Sequence, residues 1–161
     1  MRVLIGVDGS ACSDAALRLV MELPWPAGTT FLTLSASAPV FFGPGENGPL
    51  AVAELIRQLE ESHKEIAAAA AARLRRAGLQ AAARVGHGDP RRVLEETAGL
   101  EHADLLVVGS HGRPGIKKLL LGSVAGHVVA HAPCPVLVVK MPIAGVPAAV
   151  HKTDAPEALP V

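Results

Sequence analysis

Asp104-Leu-Leu-Val-Val-Gly109-Ser-His-Gly112-Arg-Pro-Gly-Ile-Lys-Lys-Leu-Leu-Leu-Gly122-Ser123 runs from a continuous apolar stretch into a glycine-rich loop and then into the start of a helix. Asp104 to Val108, apolar at every position after the aspartate, predicts a strand buried on both faces, the mark of a parallel sheet. Ser110 to Leu121 reads as loop with short helical potential, Ser123 to Ala130 as a helix, and Val136 to Val139 as a strand introduced by Pro135. The N-terminus repeats the design. Arg2 to Val7 is an apolar, β-branched run that stops at Asp8-Gly9-Ser10, and Leu17, Val20 and Met21 then recur at helical spacing. Ser10 or Ser13 supplies the N-cap, and Pro24 and Pro26 end the helix.

The middle of the chain alternates in the same way. Thr29 to Ser35 is strand-like, and Ala36 to Pro49, rich in Gly and Pro, is loop. Val52, Leu55, Ile56, Leu59, Ile66 and Leu74 trace one face of a long helix from about Leu50 to Ala77, closed by Gly78. Leu79 to Val85 is a weaker strand. Gly88-Asp89-Pro90 then starts a helix with Asp89 as N-cap and Pro90 in the first turn, and Val93, Leu94 and Ala98 lie on one face. The resulting order, β-α-β-α-β-α-β-α-β, predicts an α/β domain: an open parallel five-stranded sheet with helices on both faces and right-handed crossovers, for which the order 3-2-1-4-5 is proposed. The domain is expected to span residues 1–140. Met141 to Val161, with four prolines and no apolar period, reads as a mobile tail.

Composition excludes several functions. The chain has 161 residues, 15 Lys+Arg against 15 Asp+Glu, and four aromatic residues, Trp25, Phe31, Phe41 and Phe42. Zero net charge argues against a sequence-independent binder of nucleic acid, which needs clustered positive charge to displace counterions from phosphates, and a chain so poor in aromatics offers no platform for stacking bases, so nucleic acid is not the expected partner. The mean hydropathy of +0.35 raises the question of a membrane, and Leu119 to Val139 carries no charged side chain. Gly122, Ser123, His127, His131, Pro133 and Pro135 within it argue against a span. Val3 to Val7 is too short for the apolar region of a signal peptide. A cytoplasmic protein is expected, with Cys12 and Cys134 as reduced, partly buried thiols.

In such sheets ligands sit beyond the carboxyl ends of the strands, where the winding reverses. If strands 1 and 4 flank that point, Asp8-Gly9-Ser10 and the loop from Gly109 to Ser123 meet there. Glycines let backbone amides approach an anion without a Cβ in the way. Gly122-Ser123 opens a helix whose free N–H groups and dipole favour phosphate, and Ser123 adds a hydroxyl. The spacing is neither a Walker A loop nor a GxGxxG fingerprint. A response-regulator reading of the same order fails because strand 3 ends in Gly86-His87-Gly88, without a phosphoacceptor aspartate.

Gly109-x-x-Gly112, nine residues, then Gly122-Ser123 resembles the nucleotide-binding signature of the universal stress protein family, in its ATP-binding branch. The opening Val-Leu-Ile-Gly-Val-Asp8-Gly-Ser10, the Gly88-Asp89-Pro90 helix start and the closing Leu-Leu-Leu-Gly-Ser-Val-Ala...His-Ala-Pro-Cys-Pro-Val-Leu-Val-Val agree, over residues 1–140. The resemblance implies a Rossmann-like fold of the adenine nucleotide alpha hydrolase type, with ATP as ligand and a divalent cation, Mg or Mn, held through the phosphates. It implies that Asp8 lies beside the ribose and the metal-bound phosphates, and that backbone at Leu34 or Ser35 pairs with the adenine edge. Val108 and Gly109 would lie under the nucleoside, with Val7 among the aliphatic groups around the base. Gly112, Gly122, Ser123 and Val124 would bind phosphate.

Three functions follow as expectations. The first is a dimeric stress or signalling module whose nucleotide state alters what unidentified protein partner it binds. The second is a slow ATPase or autophosphorylating enzyme. The third is a nucleotide-free structural dimer. The dimer is expected through strand 5, because Val136 to Val139 is an edge strand without charge, and such an edge invites a copy of itself across a two-fold axis. Other residues get plainer readings: His127 and His131 as solvated or capping groups, His63 as a boundary residue of the long helix, and Arg73, Arg75 and Arg76 as its solvated end. His111, beside the glycines, reads as a polar contact or an exposed side chain.

Overall fold

The computed structural model describes residues 1–38, 49–112 and 121–141. Most of the Gly-Pro loop, residues 113–120 of the glycine-rich loop and nearly all of the tail lie outside these residues, so the expectations placed on them are not addressed. The elements follow the predicted order: β1 Arg2–Gly6, α1 Ala11–Glu22, β2 Thr30–Ser37, α2 Pro49–Arg76, β3 Gln80–His87, α3 Pro90–Leu100, β4 Leu105–Gly109, α4 Ser123–His131 and β5 Val136–Val139. Among the described residues the sheet has five strands in the order β3-β2-β1-β4-β5, and each neighbouring pair is parallel.

Alternation inside the apolar strands divides the core between the two faces of the sheet. Val3, Ile5 and Val7 of β1 and its extension pack with Ala16, Leu17 and Val20 of α1 and Ala67, Ala70 and Leu74 of α2. Leu4, Leu34, Leu106 and Val108 face the other way, onto Val93, Leu94 and Ala98 of α3 and Ala125 and Val128 of α4. Two covered faces explain why the strands read as unbroken apolar runs. No helix among the described residues is long and apolar enough to cross a membrane.

Four details differ from the sequence expectation. β2 and β3 run on to Ser37 and His87, paired at Ala36↔Gly86 and Ser37↔His87, because a parallel ladder needs backbone groups and not apolar side chains. Position 86 is glycine for lack of room: a Cβ there would lie 2.2 Å from Cγ1 of Val93. Leu55 and Ile56 of α2 are exposed, and the helix buries Ala67, Ala70, Ala71 and Leu74 instead. Its 28 residues extend about 42 Å, well past the roughly 26 Å of an eight-residue strand, so the first half of the helix overruns the sheet. Finally, Arg73 is not simply solvated but pairs with Asp14 of α1, and that guanidinium, by hydrogen bond first, holds the Asp14 carboxyl below the usual carboxylate range.

Candidate functional site

β1 pairs with β2 on one side and with β4 on the other, so the winding reverses between β1 and β4. A cavity of about 660 Å³ opens beyond their carboxyl ends, a size suited to a small-molecule ligand. Its walls come from the ends of β1, β2 and β4, the starts of α1, α3 and α4, and one residue of α2, His63.

The first loop is built around Asp8. Gly9 takes a φ of 75°, and the resulting tight turn brings the Ser10 N–H to Oδ1 of Asp8 at 2.9 Å. Ser10 is the N-cap of α1, its hydroxyl accepting from the N–H of Ser13 at 3.2 Å. The same hydroxyl donates to the carbonyl of His111 at 3.4 Å and so ties the start of α1 to the second loop.

The second loop leaves β4 at Gly109 and comes back to it. The N–H of Ser110 donates to the Val139 carbonyl at 2.8 Å, and the N–H of Gly122 donates to the Ser110 carbonyl at 2.7 Å, which fixes the N-cap of α4 against the end of β4. Gly122 is extended, with φ −68° and ψ 162°, so it is glycine for space and not for conformation. A Cβ would stand 3.2 Å from the Cα of His111 and from the Ser110 carbonyl oxygen. Gly112 lies so close to Asp8 that a Cβ would be 2.9 Å from Oδ2. With no side chain on its N-cap, α4 presents first-turn N–H groups at the cavity, where Ser123, Val124 and Ala125 line the wall.

Of the ten residues expected at the site, the structure brings nine to the cavity wall: Val7, Asp8, Leu34, Val108, Gly109, Gly112, Gly122, Ser123 and Val124. Ser35 is fully buried and stands behind the wall, its Oγ 2.8 Å from Nδ1 of His63. His63 is the residue that sequence reasoning missed, having read it as a helix boundary position; it is half-buried and lines the cavity. Pro90 and Leu94 of α3 and Ala36 and Ala38 after the middle of β2 complete an aliphatic side. His111 also lines the wall, with Nδ1 3.2 Å from Oγ of Ser110.

Asp89 caps α3 beside Pro90, accepting from the N–H of Arg91; the Arg91 side chain and then its backbone N–H push the carboxyl down to about 2. His127, expected to be solvated or capping, is half-buried and meets Oε2 of Glu95 at 2.8 Å through Nε2, which links α4 to α3. His131 does cap, its ring 2.9 Å from the carbonyl of His127. Among the described residues no cluster of three His, Cys, Asp or Glu is placed to hold a metal. Both cysteines are free and half-buried, and burial pushes the Cys134 thiol up.

With this geometry in place, the sequence profile of the universal stress protein family matches residues 1–140. The chain belongs to the universal stress protein family. A universal stress protein of Thermus aquaticus is 34% identical over 139 residues, 86% of this chain and 97% of that protein. The matched stretches cover only 32 to 51% of the length of three other universal stress proteins. Among solved structures, the hypothetical protein MJ0577 superposes with a TM-score of 0.70 at 26% identity, covering 87% of this chain and 95% of its own. A universal stress protein solved in complex with cAMP superposes with a TM-score of 0.55 at 26% identity, over 86% of this chain and 95% of that one.

Proposed function

We propose that this universal stress protein binds ATP in the cavity between β1 and β4 and acts in the cytoplasm as a dimeric stress-response or signalling module regulated by that nucleotide. The observation that carries the reading is the polarity of the cavity. At one end Gly112 and the first turn of α4 offer backbone N–H groups and a helix dipole, the chemistry of a phosphate site, while Gly122, its own N–H held by the Ser110 carbonyl, contributes the space that a side chain would fill. At the other, Leu34, Ala36 and Val108 form an aliphatic wall suited to a base. Asp8 lines the same cavity and on this reading stands beside the ribose. Its carboxylate, close to Gly112, would repel a triphosphate, so a divalent cation carried on the phosphates, Mg or Mn, belongs to the reading. A relative by structure that was solved with cAMP supports an adenine nucleotide.

The dimer is proposed through β5. This strand is last in the sheet order, and Val136, Leu137 and Val138 are half-buried and apolar. Pairing with a second copy would close the edge.

The test of the nucleotide reading is to identify, by native mass spectrometry, what stays bound through a gentle purification. An adenine nucleotide in stoichiometric amount is expected. Ligand-free protein that takes up no added ATP contradicts it.

A further inference from the structure

We propose that His63 reads the base of the bound nucleotide and sets the preference for adenine; this rests on the nucleotide-binding reading above. The argument begins with a polar seam between β2 and α2. Thr33 and Ser35 are both fully buried on the side of β2 that faces α2. The Thr33 hydroxyl donates to the carbonyl of Ala67 at 2.8 Å, and Oγ of Ser35 meets Nδ1 of His63 at 2.8 Å. Two residues along a strand advance about 6.6 Å and four along a helix about 6 Å, so the 33/35 and 67/63 pairs stay in step. The second contact thus falls at the end of the sheet, where His63 becomes part of the cavity wall.

Its position within that wall gives it a role. The carboxyl end of β2 supplies Leu34, Ala36 and Ala38 to the same cavity, and Ser35 lies among these residues in sequence. Ser35 points to the α2 face and its neighbours to the other, but both meet at the carboxyl end of β2, and β1 separates that end from β4. His63 therefore stands on the β2 side of the cavity and not on the side of the loop that follows β4. Aliphatic groups hold any flat ring but cannot distinguish one purine from another, because that distinction rests on hydrogen-bond donors and acceptors at the ring edge. An imidazole anchored at Nδ1 by a buried hydroxyl supplies such a group in a fixed orientation. Ser35 thereby becomes a positioning residue, acting through the ring of His63.

The test compares the full chain with His63→Leu and Ser35→Ala by calorimetric titration with ATP, GTP and inorganic triphosphate. Ser35→Ala retains the imidazole and keeps the inference falsifiable if His63→Leu does not fold. The wild type is expected to favour ATP over GTP; both substitutions should lower ATP affinity, by about tenfold for His63→Leu, and shrink the ATP to GTP ratio while triphosphate affinity stays the same. An unchanged ratio in both variants overturns the inference and leaves ATP binding intact. A fall in triphosphate affinity equal to the fall for ATP also overturns it, since that marks general damage. Equal wild-type affinity for the two nucleotides removes base reading alone, and a wild type that binds neither removes the nucleotide reading as well.

Discussion

Gly109 ends β4 with its α-carbon against the first turn of α1: a Cβ there would lie 2.7 Å from the carbonyl carbon of Cys12 and 2.8 Å from the nitrogen of Ser13. Backbone cannot swing aside as a long side chain can. Gly109→Ala is therefore expected to lower the unfolding free energy by about 1–3 kcal/mol, as overpacking of a well-filled site does, seen as a lower urea midpoint. Asp89 gives a prediction in pH. Its folded pKa, about 2, lies below the ordinary value of 3.8, so its contribution is fully present above the ordinary value and is lost as pH falls through the folded one. Thermal melts of the wild type and Asp89→Asn should differ at pH 7 and converge toward pH 2; a difference that persists unchanged would contradict this. Single residues were unevenly legible. Asp89 and Pro90 announced their cap by a local pattern, and the glycines of the second loop announced a close approach by spacing. His63 announced nothing, since its partner Ser35 lies 28 residues away and only the packing of α2 on β2 joins them.

Elements were legible where both faces of a strand or one face of a helix fill the core. β1, β4 and β5 are such strands, and α3 and α4 such helices. The reading slipped where another force decides the length of an element. β3 continues through Gly86 because its backbone pairs with β2, and α2 continues beyond the sheet with Leu55 and Ile56 exposed, where apolar spacing had suggested a buried face. β5 carries the prediction at this scale. On the proposed dimer, Val138→Lys places a charge in the edge strand, and light scattering should find a dimeric wild type and a monomeric variant of unchanged circular dichroism. A variant that remains dimeric would move the interface away from β5.

For the molecule as a whole, order in sequence decides where the site must be. Placing β1 between β2 and β4 creates the reversal, and the two loops that leave its edges carry Asp8 on one side and Gly109 to Ser123 on the other. The alternation of strands and helices gave the parallel sheet, and the proposed order 3-2-1-4-5 put those two loops together. The cavity's aliphatic end followed only in part: Val7, Leu34 and Val108 were expected there, whereas Pro90 and Leu94 of α3 and His63 of α2 reach the cavity only through the packing of helices on opposite faces. A ligand that bridges both ends holds β1, β4 and α4 together, so ATP at 100 times its dissociation constant should stabilise the fold by about 2.7 kcal/mol. The central claim is tested most directly by calorimetric titration of ATP with Mg into the wild type and Gly122→Val. The site predicts one ATP per wild-type chain and no measurable heat from Gly122→Val, whose side chain would crowd His111 and Ser110. A wild type that binds no ATP, or a Gly122→Val protein that binds it equally well, would contradict it.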